Sequence, residues 1–98
     1  IIMSINSKKE DFQTMIDGLQ NYISSLEENT QELKRSAELY DRGINDRSSH
    51  VYKEKIDKLC NQINPSMVER VEILKKNLEE QLEELIGIEE MLEREENE

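Results

Sequence analysis

Ninety-eight residues, 35% of them apolar, with four aromatics, one alanine and three glycines, make one domain at most and cannot fill a thick globular core. The net charge of -10 is uneven: residues 77–98 carry ten glutamates against Arg94 alone, while residues 1–76 hold twelve basic and thirteen acidic residues. A nearly neutral body with an acidic end lacks the clustered Lys and Arg that nucleic acid and anionic membranes require, so neither is expected as a partner.

The chain opens Ile1-Ile2-Met3, too short an apolar run for a signal peptide, and no later stretch approaches the roughly 20 apolar residues of a membrane span. A soluble protein is expected, cytoplasmic or exported without a classical signal. An Ile-Ile pair ahead of Met3 suggests a start within a longer chain. Ser7-Lys8-Lys9-Glu10 has the capping-box pattern, which predicts a helix from residue 8. Along it runs a stripe at alternating three- and four-residue spacing: Phe12, Ile16, Leu19, Ile23, Leu26, Thr30, Leu33, Ala37, Tyr40 and Ile44. Only a helix gathers such residues on one side, and the spacing is that of coiled coils. The helix should end near residue 42, with Gly43 as its left-handed cap and a turn over 43–49.

A second helix is predicted over 50–63, with Tyr52, Ile56, Leu59 and Ile63 at helical spacing. A third run, Met67, Val71, Leu74, Leu78, Leu85, Ile88 and Leu92, occupies a helix over 66–94. The two runs are out of phase: Leu59 and Leu74 lie 15 residues apart where two heptads require 14. Pro65 sits in that slip, and Ser66-Met67-Val68-Glu69 is a second capping pattern. Residues 64–66 therefore form a kink or a turn; the kink is favoured because it needs no loop and the stripe resumes at once. The expected fold is all-α: an antiparallel, coiled-coil-like helical hairpin, its second arm kinked or broken at Pro65, completing a helical bundle by association. Met15, Tyr22, Leu39, Cys60, Ile73, Leu82, Ile86 and Met91 widen the stripes on their flanks, as they would if further helices packed there.

Sites for chemistry are sparse. His50 has no neighbouring ligand set for zinc and is expected on the surface. Cys60, the lone cysteine, reads as a packed thiol. The glutamate pairs at 79–80, 83–84 and 89–90 read as a solvated helix face, since calcium sites need converging loop ligands and carboxylate catalysis needs a cleft. No phosphate loop or nucleophile triad occurs. The expectation is a protein that is not an enzyme and uses no cofactor or metal. It should bind itself or another helical protein through the stripe residues, with a basic partner surface suited to the acidic 77–98 segment.

Two resemblances accompany this reading. Ile5-Asn6-Ser7-Lys8-Lys9-Glu10-Asp11-Phe12, followed by Ile44-Asn45-Asp46 and then Tyr52, Ile56 and Leu59, resembles the WXG-motif family of small helical hairpins exported by type VII secretion, with Ile44 and Asp46 in the places of Trp and Gly. That resemblance implies pairing into four-helix bundles and a role as a secretion-associated partner or adaptor. Phe12 to Arg35, ending Glu28-Asn29-Thr30-Gln31-Glu32-Leu33-Lys34-Arg35, is similar to the first helix of a syntaxin N-terminal regulatory domain. That alternative implies a regulatory helical domain of a SNARE in membrane trafficking.

Overall fold

The computed structural model describes residues 2–97, with side chains described for 4–96. The side chains of the opening Ile1–Met3 run, and Glu98 of the acidic segment, lie outside the described residues. The described residues are helical and contain no strand: α1 spans Ile2–Ile44, α2 Arg47–Lys58 and α3 Asn64–Asn97, with a π-helical turn over Leu59–Ile63 joining α2 to α3. The chain divides into two compact units. A turn unit covers Tyr22–Val71, and a terminal unit combines the stretch ending at Asn21 with that beginning at Glu72.

In the terminal unit, α1 begins six residues ahead of the predicted start, so Ser7 lies inside the helix instead of capping it. The cause is packing: Ile5 is buried and continues the spacing of Phe12, Ile16 and Leu19 back by two turns, and tertiary burial outweighs a local cap. On α3 the inward positions are Lys75, Leu78, Leu82, Leu85, Glu89 and Leu92, all half-buried. Lys9 Nζ lies 2.8 Å from both carboxylate oxygens of Glu89, and Lys75 Nζ donates to Gln20 Oε1 at 2.7 Å. The two stretches therefore run antiparallel. These pairs also decide the α3 register. Inward positions at 75, 82 and 89 bury Leu82 and give Lys75 and Glu89 partners, whereas the predicted 74 and 88 would bring the polar Gln81 inward. Leu74 and Ile88 are accordingly exposed. Beyond the predicted end at 94, α3 continues to Asn97.

In the turn unit, the chain reverses at Asn45–Asp46. Asn45, not Gly43, takes the left-handed conformation (φ 49°), and its N–H donates to Asp41 O at 2.8 Å. Asparagine tolerates this region because of its short polar side chain. Stopping α1 there places Asp46 as the cap of α2: its Oδ1 accepts from Ser49 N–H at 2.8 Å, and its N–H donates to Ser49 Oγ at 3.0 Å. α2 therefore starts three residues before the predicted residue 50.

Pro65 does not break the second arm. Asn64 N–H reaches back five residues to Leu59 O, and this widened turn stands immediately before the residue that has no N–H to give. A proline ring clashes with the carbonyl four residues earlier, here Asn61, and a wider turn relieves the crowding. The π turn also takes up the extra residue: inward positions run Cys60, Asn64, Val68, Val71.

Candidate functional site

Apart from Ile23, the buried residues of the turn unit, Ala37, Ser49 and Cys60, are small. On α1 the inward residues are Ile23 (2% exposed), Leu26, Thr30, Lys34, Ala37 (7%) and Asp41. Facing them are Ser49 (0%), Lys53, Ile56, Asp57, Cys60 (4%), Asn64 and Val68. Ala37, Ser49 and Cys60 are small, and helix separation follows the size of the side chains at the contact, so the helices can approach closely.

Polar pairs fix the register. Thr30, the single polar member of the predicted stripe, lies at the centre of one set. Its Oγ1 donates to Leu26 O (2.6 Å) and accepts from Asn64 Nδ2 (2.9 Å), while its carbonyl accepts from Cys60 Sγ (3.8 Å). Lys34 Nζ donates to Asn61 Oδ1 at 2.8 Å. Nearer the turn, Asp41 Oδ1 accepts from Ser49 Oγ at 2.9 Å and pairs with Nδ1 of the exposed His50. Lys53 Nζ lies 2.9 Å from Asp57 Oδ2; that hydrogen bond and charge hold the Lys53 ammonium above its ordinary pKa of 10.5. Each side chain in these pairs serves the fold. Among the described residues, no group of three or more His, Cys, Asp and Glu is placed to hold a metal.

Small and paired polar residues hold the inward positions past Thr30, so the bulky stripe residues there lie outside. Of the eighteen apolar residues predicted to form the interaction seam, Ile16 and Ile23 are buried, and Phe12, Leu19, Leu26, Ile56, Val71, Leu78, Leu85 and Leu92 are half-buried. Leu33, Tyr40, Ile44, Tyr52, Leu59, Ile63, Leu74 and Ile88 are exposed. Past Thr30 the inward positions step to 34, 37 and 41, so the predicted 33, 40 and 44 fall beside them. The cause is the pairing of Lys34 with Asn61 and of Asp41 with Ser49 and His50, which the pattern of a single helix does not contain. Ile5, Val68 and Leu82 are inward positions outside the predicted set. Extending the Phe12–Ile16 spacing backward was enough to reach Ile5.

These displaced residues collect on one side of the turn unit. Both helices are right-handed and run antiparallel, so the residue just before each inward position lies on the same side of the pair. On α1 these are Leu33 and Tyr40, with Ile44 at its end; across from them are Tyr52, Leu59, Ile63 and Met67. The seven are 36–56% exposed. The terminal unit shows the same geometry in a groove where apolar Phe12, Met15, Leu85 and Ile88 are interleaved with charged Lys8, Asp11, Glu80 and Glu84.

The apolar side is also free of charge along α1. Tyr22, Ser25, Asn29, Leu33, Ser36 and Tyr40, at three- and four-residue spacing, are all exposed and all uncharged in a chain that is 37% charged. The other arm brings two cations to this side, Lys55 just before the inward Ile56 and Arg70 just before the inward Val71; Lys55 Nζ lies 5.9 Å from the centroid of the Tyr52 ring. The opposite side of the unit is polar, with a depression of about 310 Å³ lined by residues that include Glu27, Gln31, Lys34, Asn61 and Pro65.

Compared with protein-family models, curated proteins and solved structures, the chain matches none.

Proposed function

We propose that this chain is a non-catalytic helical hairpin that works by docking another helical surface on the apolar side of its turn unit, completing a bundle. One observation carries this reading: seven large apolar side chains, 36–56% exposed, lie on one side, while past Thr30 the buried residues of the interior are the small Ala37, Ser49 and Cys60. Scattered exposed apolar residues are ordinary on a protein surface, but a contiguous patch depleted of charge is the composition of an interface core. The three- and four-residue spacing is the one a partner helix needs to insert its own side chains.

No described helix is long and apolar enough to cross a membrane. The acidic stretch of α3, with Glu79, Glu80, Glu83, Glu84 and Glu90 exposed, is a separate surface suited to a basic partner. The type VII secretion setting implied by the WXG-motif resemblance and the SNARE-regulatory setting implied by the syntaxin resemblance both employ helical modules of this kind; each rests on its resemblance alone.

The test is photo-crosslinking in the native cell, with the crosslinking residue placed at Tyr40 or Ile63 on the apolar side and at Gln31 or Asn61 on the polar side. Protein adducts are expected from the first pair and few from the second. Equal yields from both sides, or none from Tyr40 and Ile63, would count against the reading.

A further inference from the structure

The groove of the terminal unit carries the charge that the turn unit lacks. The two stretches of this unit hold fourteen acidic and five basic residues, a net charge of -9, whereas residues 22–71 hold nine acidic and eight basic. Between α1 and α3 the groove encloses about 760 Å³, and its apolar lining is Phe12 and Met15 on one helix, Leu85 and Ile88 on the other. Met15 and Ile88 are 47% and 50% exposed. Each pair is spaced by three residues, so the groove can receive the side-chain ridge of a further helix. The lining on α3 runs from Asn77 to Ile88, about 16 Å at ~1.5 Å per residue, which is three turns of an occupant.

The charged lining is Asp11, Glu80 and Glu84 against Lys8 alone. Among the described residues none of these three carboxylates has an ion-pair or hydrogen-bond partner, whereas Glu79 and Glu89 on the same helix are paired with Lys75 and Lys9. A helix laid on the apolar lining takes water from the carboxylates beside it, which is costly unless its own flanks supply cations. A second copy of this unit, or any acidic helix, would set carboxylate against carboxylate and is rejected.

We infer that this groove docks a basic amphipathic helix of another protein, about three turns long. Its apolar residues, at three- and four-residue spacing, cover Phe12, Met15, Leu85 and Ile88, and its flanking Lys or Arg side chains meet Asp11, Glu80 and Glu84. The site is separate from the apolar side of the turn unit, and the inference goes beyond the reading above in giving the form, length and charge pattern of the ligand.

Fluorescence anisotropy of the purified full chain with a labelled three-turn peptide, Leu on one face and Lys on its flanks, tests the inference. The peptide should bind, and raising the salt should weaken it several-fold. Replacing its Lys by Glu, or its Leu by Ser, should each weaken binding at least tenfold. Glu84→Lys and Met15→Ser should each raise the dissociation constant at least fivefold while the helical circular dichroism is unchanged. Glu83→Lys makes the same change in net charge but stands just after the inward Leu82, on the other side of the unit, and should leave the constant within about twofold. Leu33→Lys, on the turn unit, should do likewise.

Equal weakening by Glu84→Lys and Glu83→Lys, or equal binding of the Leu and Ser peptides, would mean general attraction between opposite charges and overturn the groove. Weakening by Leu33→Lys alone would put the peptide on the turn unit and overturn it too. Failure of the Leu–Lys peptide to bind would overturn this inference while leaving the turn-unit reading standing wherever Tyr40 and Ile63 still crosslink to protein in the cell.

Discussion

The same substitution at two positions of α1 separates the structure from the simpler stripe. Ile23 and Ile44 both belong to the predicted heptad, and if that stripe were the core throughout, alanine at either would cost about the same. The structure leaves Ile23 2% exposed and Ile44 51% exposed. Ile→Ala removes three carbons, worth roughly 2.4 kcal/mol at ~0.8 kcal/mol per buried methylene. At Ile23 the vacated space is enclosed, which adds a cavity cost and brings the expected loss to about 3–4 kcal/mol. At Ile44 about half of that transfer energy is at stake, solvent fills the space, and alanine's better helix propensity returns a few tenths, leaving a loss of about 1 kcal/mol. Urea unfolding followed by circular dichroism, at a dilution where the chain is monomeric, measures both. Losses within ~0.5 kcal/mol of each other would refute the change of inward positions after Thr30.

The other expectations concern the polar pairs and the turn. Thr30→Val removes the acceptor of Asn64 Nδ2 in a half-buried setting and should cost about 1–2 kcal/mol in the same assay. Lys9→Met leaves the 15%-exposed Glu89 carboxylate without its cation, for a loss of about 1–3 kcal/mol. Asp46→Ala deletes the cap of α2 and should lower stability by about 1–2 kcal/mol; Asp46→Asn should recover most of it. Lys53, whose pKa the Asp57 hydrogen bond and charge raise above 10.5, gives a pH signature. A raised cation pKa means its contribution is complete below pH ~10.5 and is lost as the pH climbs past the folded-state value. The wild type should therefore lose Tm relative to Lys53→Met only in that alkaline range; a constant difference between the two would contradict the pairing.

The helical class was legible from the spacing of Phe12 to Leu26, because large apolar residues at three- and four-residue intervals have one physical use. The reversal near residue 46 was legible from the run of turn-forming residues after Gly43, although the left-handed position fell to Asn45 because Asp46 had to stand next to it as the cap. Past Thr30 the pattern misleads. There the interior is built from Ala37, Asp41, Ser49 and Cys60, and the pairs that set it join residues 8 to 34 positions apart, as in Asp41–Ser49, Lys34–Asn61 and Thr30–Asn64. Periodicity ranks residues by apolarity, so it assigned Leu33, Tyr40, Tyr52, Leu59 and Ile63 to an interior that smaller residues occupy. The one-residue slip around Pro65 was visible in the spacing of Leu59 and Leu74, but its form as a π turn was not, because Leu59–Ile63 carries no residue that distinguishes a five-residue turn from an ordinary one. For the candidate site, the residues themselves were named from the sequence while their direction was not.

The central claim is that protein covers the apolar side of the turn unit in solution. Hydroxyl-radical footprinting of the chain in its native cell and of the purified chain at high dilution reads this side chain by side chain, because Met67, Tyr40 and Tyr52 lie on that side while the exposed Met15 and Met91 belong to the terminal unit. The account predicts that labelling of Met67, Tyr40 and Tyr52 relative to Met91 is several-fold lower in the cell than in the dilute purified chain. Equal relative labelling in the two settings, or protection that falls equally on Met91, would contradict it.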